Sequence, residues 1–238
     1  MSAHFEELGW QQTAMGEISL RRRFDPTART DVYEVKLGDE YLMSSLFTVA
    51  ERELARLGLA RTPGADLDVV VGGLGLGYTA REALADTRIR TLTVVEYSAA
   101  VIDWHNRELL PATAGLATDK RITLVCADFF AAAAGTTGFD PESPGRTYDA
   151  ILLDIDHSPQ HVLHHPHAPF YTEDGLRALS AHLAPHGTFA LWSDDAPDDQ
   201  FLATLETVFT DVEAEQVAFD NPLTKGRSTN TIYLATRS

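Results

Sequence analysis

Cysteine is almost absent: Cys126 is the single one in 238 residues, which excludes an internal disulfide framework and a cysteine-built metal centre. No apolar run approaches the ~20 residues that a membrane-crossing helix requires. The opening segment, MSAHFEELGW, lacks a basic stretch followed by an apolar one, so no secretory signal is expected. Positive charge is scarce as well. Lys and Arg number 19 against 35 Asp and Glu, a formal net charge of −16, and the one dense basic cluster is Arg21–Arg23. Proteins that hold nucleic acid present a basic face that displaces counterions from phosphates. Nucleic acid and anionic membranes are therefore not expected as partners, whereas a cationic small molecule is drawn by the field. Repeats and low-complexity tracts are missing too. What is there is an ordinary globular composition, 44% apolar and 23% charged, in a chain sized for one core and expected in the cytoplasm.

The pattern along the chain divides near residue 60. Residues 1–60 read as a β-rich region plus a helix. EISLRRRF and DVYEVKLG are extended, with a turn at Asp25-Pro26, and Arg21–Arg23 read as a solvated strand edge. SSLFTVAERELARLGLA has helical spacing, with a serine in place to cap its start. Residues 61–238 alternate strand and helix: LDVVV, TLTVVEY, ITLVCAD, YDAILLDID and GTFALWSDD are apolar strands separated by helical stretches such as YTAREALAD, AAVIDWHNRELL and EDGLRALSAHLA. Unalternating apolar strands linked through helices predict a doubly wound, mostly parallel α/β sheet covered on both faces. VEAEQVAF and TNTIYLATR are spaced for a hairpin, which adds antiparallel strands at one side.

The glycine-rich segment VVVGGLGLGYTAREAL lies directly after a strand and directly before a helix. Glycine permits a tight turn and close approach of a ligand to the backbone, and the helix start offers free N–H groups. Gly73, Gly75 and Gly77 are the expected cradle. Glu96 ends the next strand about 20 residues on, where a carboxylate can accept from ribose hydroxyls. Asp128 follows the third strand and suits an adenine amino group. These landmarks serve a nicotinamide dinucleotide as well as an adenosyl sulfonium; the alternative is that the glycines close a βα turn and the acids cap helices.

With VGGLGLGYTAREAL, VVEYSAAVIDWHNRELLP, ITLVCADFF, YDAILLDIDHSP and LAPHGTFALWS in place, the chain resembles the spermidine synthase-like branch of the class I S-adenosylmethionine-dependent methyltransferase superfamily. The resemblance implies a Rossmann-like seven-stranded sheet with a short β-rich N-terminal extension, S-adenosylmethionine or its decarboxylated form as cofactor, and a homodimer. It implies that Gly73, Gly75 and Gly77 cradle the cofactor's amino-bearing arm, that Glu96 holds ribose and Asp128 adenine. Asp154 matches the aspartate that contacts the reacting amine, and Asp39-Glu40-Tyr41 resembles the acidic-aromatic element over the substrate. The chain departs from that family where polyamines are held: Leu74-Gly75-Leu76 stands where an aspartate is usual, and His157 stands at or near a second substrate aspartate.

Strand ends also gather carboxylates. Asp154 and Asp156 end one strand and Asp194 and Asp195 the next. Asp154, His157 and Asp156 are the expected catalytic groups, deprotonating and orienting an acceptor. Glu40, Tyr41, Tyr171 and Trp192 are expected to line the substrate pocket. Asp154 with Asp194 and Asp195 has the composition of a Mg²⁺ site, but Ser193-Asp194-Asp195-Ala196-Pro197 is good turn chemistry and no metal is assigned. The histidines of HSPQHVLHHPHAPFY suggest zinc by composition; its prolines favour a lid. The intact adenosyl landmarks and altered amine motifs lead to an expectation of methyl transfer to an amine or hydroxyl of a small molecule. The alternatives are aminopropyl transfer to a polyamine, aminocarboxypropyl transfer or cyclisation of the cofactor, and metabolite binding without turnover.

Overall fold

The structure, a computed structural model, describes residues 5–13, 16–221 and 223–238. Four strands come first, β1 (Phe5–Thr13), β2 (Gly16–Asp25), β3 (Thr30–Leu37) and β4 (Glu40–Ser44), paired antiparallel in sequence order. The β2–β3 turn forms as Asp25-Pro26 predicts, with Asp25 Oδ1 accepting from the backbone N–H groups of Thr27 and Ala28 at 2.9 and 3.0 Å. Arg21–Arg23 do not form an edge, because β2 is flanked by both β1 and β3. Instead Arg21 and Arg23 both pair with Glu34 on β3, each at 2.9 Å, and Arg22 reaches Glu6 on β1 at 2.6 Å. Cross-strand partners of opposite charge explain the basic cluster.

Helix α1 (Val49–Arg61) follows, capped by Thr48 without a side-chain bond rather than by a serine. Its Ala50, Leu54, Ala55 and Leu59 are buried, and it packs on the strands of the second sheet rather than on the first. That second sheet has seven strands in the order β10-β11-β9-β8-β5-β6-β7. Here β5 is Leu67–Gly72, β6 Ile89–Glu96, β7 Ile122–Cys126, β8 Tyr148–Leu153, β9 Leu183–Ser193, β10 Thr210–Asn221 and β11 Gly226–Thr236. Pairs β5–β6, β5–β8, β6–β7 and β8–β9 are parallel, while β11 joins β9 and β10 antiparallel. Every residue of β5 is buried, as an apolar central strand under two helical layers requires.

Helices α2 (Tyr78–Ala85), α3 (Ala99–Asn106), α4 (Phe129–Ala134), α5 (Glu173–Ser180) and α6 (Asp199–Glu206) link the strands. Strand order reverses between β5 and β8, the place where open α/β sheets bind ligands beyond their strand ends. No helix among the described residues is long and apolar enough to cross a membrane.

Candidate active site

Two cavities meet at Asp154. The larger, about 470 Å³, is bordered by Gly73, Gly75, Glu96, Asp128, Phe130 and His167. The smaller, about 340 Å³, is bordered by Glu51, Tyr78, His157, Trp192, Asp194 and Asn230. Met43 of β4, Gly75, Asp154 and Ile155 border both. All four strands of the N-terminal sheet contribute to the larger cavity, through Gln11, Ile18, Leu37 and Met43.

The glycine loop is built as its composition predicts. Gly73 has φ of 91°, and a Cβ there would lie 2.2 Å from the carbonyl oxygen of Asp154. Gly77 starts α2 with φ of 86°, against the His105 ring. Side chains from three elements hold the loop. Glu96 Oε2 accepts from the N–H groups of Leu74 at 2.9 Å and Gly75 at 3.4 Å, and its Oε1 accepts from Ser98 N–H at 2.7 Å. A carboxylate has about four acceptor positions, so most of Glu96 is committed to backbone. Burial raises its pKa against the lowering effect of those hydrogen bonds. His105 of α3 lies with Nε2 2.9 Å from the Gly75 carbonyl, and Thr113 donates to the Leu76 carbonyl at 3.2 Å. Burial lowers the His105 pKa, so the ring is neutral and donates from Nε2. Neither residue is singled out by the sequence. The available signal was a histidine beside Trp104 on an otherwise apolar helical face.

Asp128 is the N-cap of α4: its Oδ1 accepts from Phe130 and Ala131 N–H at 2.9 and 3.2 Å. Its Oδ2 takes no hydrogen bond from the described residues. Asp128 thus both caps a helix and borders the larger cavity.

At the junction, Thr79 of α2 donates to Asp154 Oδ2 at 2.7 Å and lies 3.2 Å from the backbone carbonyl of Glu51. One hydroxyl ties α1, α2 and the end of β8 together. Burial pushes the Asp154 carboxyl up to about 6, with the Thr79 hydrogen bond opposing it. Burial, then the Asp154 charge, pushes Glu51 up to about 8. Glu51 is the functional candidate that the sequence reading missed, one acid among three charges in Glu51-Arg52-Glu53. Asp194 also borders this cavity and accepts from Asn230 Nδ2 at 2.7 Å. The far wall, Asn221, Ser228 and Asn230, is polar but uncharged.

The remaining candidates divide. His157 borders the smaller cavity, its Nε2 3.9 Å from Glu40 Oε1, and Trp192 borders it with a buried indole N–H that has no acceptor among the described residues. Asp156, 1% exposed, is directed elsewhere: it accepts from Leu163 N–H, His167 Nδ1 and Tyr171 OH at 2.7, 2.8 and 2.8 Å. Tyr171 is packed among Phe130, Phe170 and Phe201. Tyr41 is 55% exposed and stacks under Arg21 and Lys36, 4.6 and 5.2 Å from its ring centre. The structure does not bring Asp156, Tyr171 or Tyr41 to either cavity. The histidine-rich segment runs along the larger cavity, which Leu163, His164, Pro166 and His167 border. Asp156 holds His167, Phe130 stacks on that ring at 3.9 Å, and Asp195 holds His161 at 2.7 Å. Asp194 and Asp195 lie in a bend after β9, with Asp194 N–H donating to the His157 carbonyl at 2.7 Å. Among the described residues no group of three or more His, Cys, Asp or Glu is disposed to hold a metal ion.

No family model matches the chain. Over 156 residues, 62% of its length, it is 29% identical to the polyamine aminopropyltransferase of Sulfolobus acidocaldarius. Over 157 residues it is 26% identical to polyamine aminopropyltransferase 2 of Pseudomonas aeruginosa. These stretches are 47% and 41% of the two relatives, so the chain matches less than half the length of either. The structure of spermidine synthase from Thermotoga maritima superposes with a TM-score of 0.73 over 98% of this chain and 73% of that one, at 17% identity. A spermidine synthase in complex with the transition state analogue AdoDATO gives 0.72 over 98% and 72%, at 16% identity. The resemblance to the spermidine synthase-like branch stands, and the fold is the class I methyltransferase-like fold of that branch. Methyl transfer as the leading expectation does not stand: the relatives are named as aminopropyltransferases, not methyltransferases. Glu51 brings a carboxylate to the smaller cavity from α1, outside all of the motifs that the resemblance rests on.

Proposed function

We propose that the chain is an aminopropyltransferase that moves the aminopropyl group of decarboxylated S-adenosylmethionine to an amine of a small polyamine. The observation that carries this reading is the junction at Asp154. One cavity there has the glycine cradle, Glu96 and Asp128, and the other is walled by the carboxylates of Glu51 and Asp194. In this reading residues 1–60 contribute walls to both cavities, and residues 61–238 supply the glycine loop, Glu96, Asp128 and Asp154. The acidic wall attracts both a sulfonium and an ammonium.

The chemistry is an in-line displacement. An acceptor nitrogen must lose a proton to expose its lone pair. It then bonds to the propyl carbon beside sulfur while the carbon–sulfur bond breaks, its electron pair remaining on sulfur and releasing methylthioadenosine. Asp154 takes the proton. Burial has raised it to about 6, nearer the working pH at which a general base is most effective. The cavity walls hold nitrogen, carbon and sulfur in line, which supplies the orientational part of the rate. His157 borders the same cavity and orients the acceptor from its outer side.

The test is incubation of the purified protein with decarboxylated S-adenosylmethionine and 1,4-diaminobutane, with mass-spectrometric detection of spermidine and methylthioadenosine. Stoichiometric appearance of both is expected. Methylated amine formed from S-adenosylmethionine, with no aminopropylated product from any diamine or triamine, would sink the proposal.

A further inference from the structure

Glu51 borders the smaller cavity from α1; its carboxylate accepts from its own backbone N–H, and among the described residues no Lys, Arg or His forms an ion pair with it. Its neighbour Arg52 is engaged elsewhere, 3.8 Å from Glu82 and over the Tyr78 ring at 5.2 Å. The glycine loop presents Leu74, Gly75, Leu76 and Gly77 to this region, so the loop supplies no carboxylate. Two carboxylates without a cation are costly to enclose unless a ligand brings the charge. One observation independent of that acidity marks a ligand space: the cavity itself, about 340 Å³, which opens beside Glu51, Asp154 and Asp194.

We propose that Glu51 is a specificity-determining residue, forming with Asp154 a two-carboxylate seat for one substrate ammonium group. The inference rests on reading this cavity as the amine site of an aminopropyltransferase. Its consequence is a coupling of amine binding to proton release. With Glu51 near 8 and Asp154 near 6, the pair carries about one proton at pH 7. An incoming ammonium favours both carboxylates ionised, so that proton leaves. The other groups facing the pair are Asp194 after β9, Arg52 on α1, Tyr78 on α2 and His157 in the histidine-rich segment. Asp194 adds negative charge on the same wall and reinforces the coupling. Arg52 opposes it, but is drawn outward to Glu82.

The experiment is titration calorimetry of 1,4-diaminobutane into the intact chain at pH 7, in phosphate and in Tris, whose ionisation enthalpies differ widely. The expected result is a difference in apparent heat equivalent to release of about one proton, and affinity that tightens by roughly tenfold per pH unit up to pH 8. Glu51→Gln should abolish both while thermal melting stays cooperative. Glu51→Asp should restore the proton release with weaker binding, and Glu53→Gln, at a residue paired with Arg56 and bordering neither cavity, should bind amine as the parent does. If Glu51→Gln folds and keeps proton release and amine affinity, the seat is refuted whether or not aminopropyl transfer occurs. If proton-linked binding is present and lost in Glu51→Gln but no aminopropylated product forms, the seat stands and the reaction assigned to the cavity falls.

Discussion

Replacing Glu51 by glutamine should make this protein more stable above neutral pH and leave it unchanged near pH 4.5. Glu51 has its carboxyl raised from 4.5 to about 8 by burial and by the Asp154 charge. A raised carboxyl means that the folded chain holds a proton that the unfolded chain has already lost. Stability on this account is fully present below about 4.5, declines as pH rises towards 8, and is level above it. At about 1.4 kcal/mol per pH unit over that interval, the ceiling is about 5 kcal/mol. Water entering the open cavity screens part of it, so about 2–3 kcal/mol is the working expectation. In a chain of this size that is a rise in Tm of roughly 5–10 °C at pH 8.5. Glutamine keeps the shape and removes the charge, so the difference between parent and variant should grow steadily from pH 5 to pH 8. Thermal melts followed by circular dichroism at half-unit pH steps measure it. A variant that melts below the parent at pH 8.5, or whose advantage does not change with pH, refutes the reasoning. Stabilisation together with loss of amine binding is the trade expected of a residue strained for function.

Three further perturbations test other parts of the site. Thr79→Val removes the hydrogen bond that helps Asp154 ionise, so the acid limb of the kcat–pH profile should move to higher pH; an unmoved limb would separate Asp154 from the proton transfer. His105→Phe keeps the ring volume but leaves the Gly75 carbonyl without its donor. Affinity for methylthioadenosine should fall by roughly 5–30-fold, equivalent to about 1–2 kcal/mol for one lost buried hydrogen bond, with kcat for saturated enzyme nearly kept. Asp156→Ala strands the Leu163 N–H, His167 and Tyr171 donors that hold the histidine-rich segment. It should cost about 2–4 kcal/mol and open residues 157–171 to proteolysis; resistance equal to the parent's would show that the segment is held by its own packing.

Local pattern was enough for the architecture. Apolar runs such as Leu67–Gly72 between helical stretches specify a buried parallel strand wherever they occur, because strand and helix periods are properties of neighbouring residues. The turn of the glycine loop was legible for the same reason: positive φ at Gly73 and Gly77 is a backbone demand that the residue type itself announces. Asp154 could be placed because it follows directly on β8.

Two residues later that logic failed. The chain leaves β8 at Leu153, so the alternation that would set Asp154 and Asp156 on one face no longer holds, and Asp156 turns to meet Tyr171. Arg21–Arg23 were misplaced because only the pairing of β1 shows that β2 is an inner strand. Glu51 was beyond reach for a related reason. In Glu51-Arg52-Glu53 the sequence offers three charges on one helical turn. Which of them meets a cavity depends on how α1 rests on β8, β9 and β11, strands that lie about 100 or more residues further along the chain. Residue order therefore determined the elements and the turn of the glycine loop. The partners of each buried charge were decided by tertiary packing, since a carboxylate takes its chemistry from the solvent, charges and donors that distant segments bring to it.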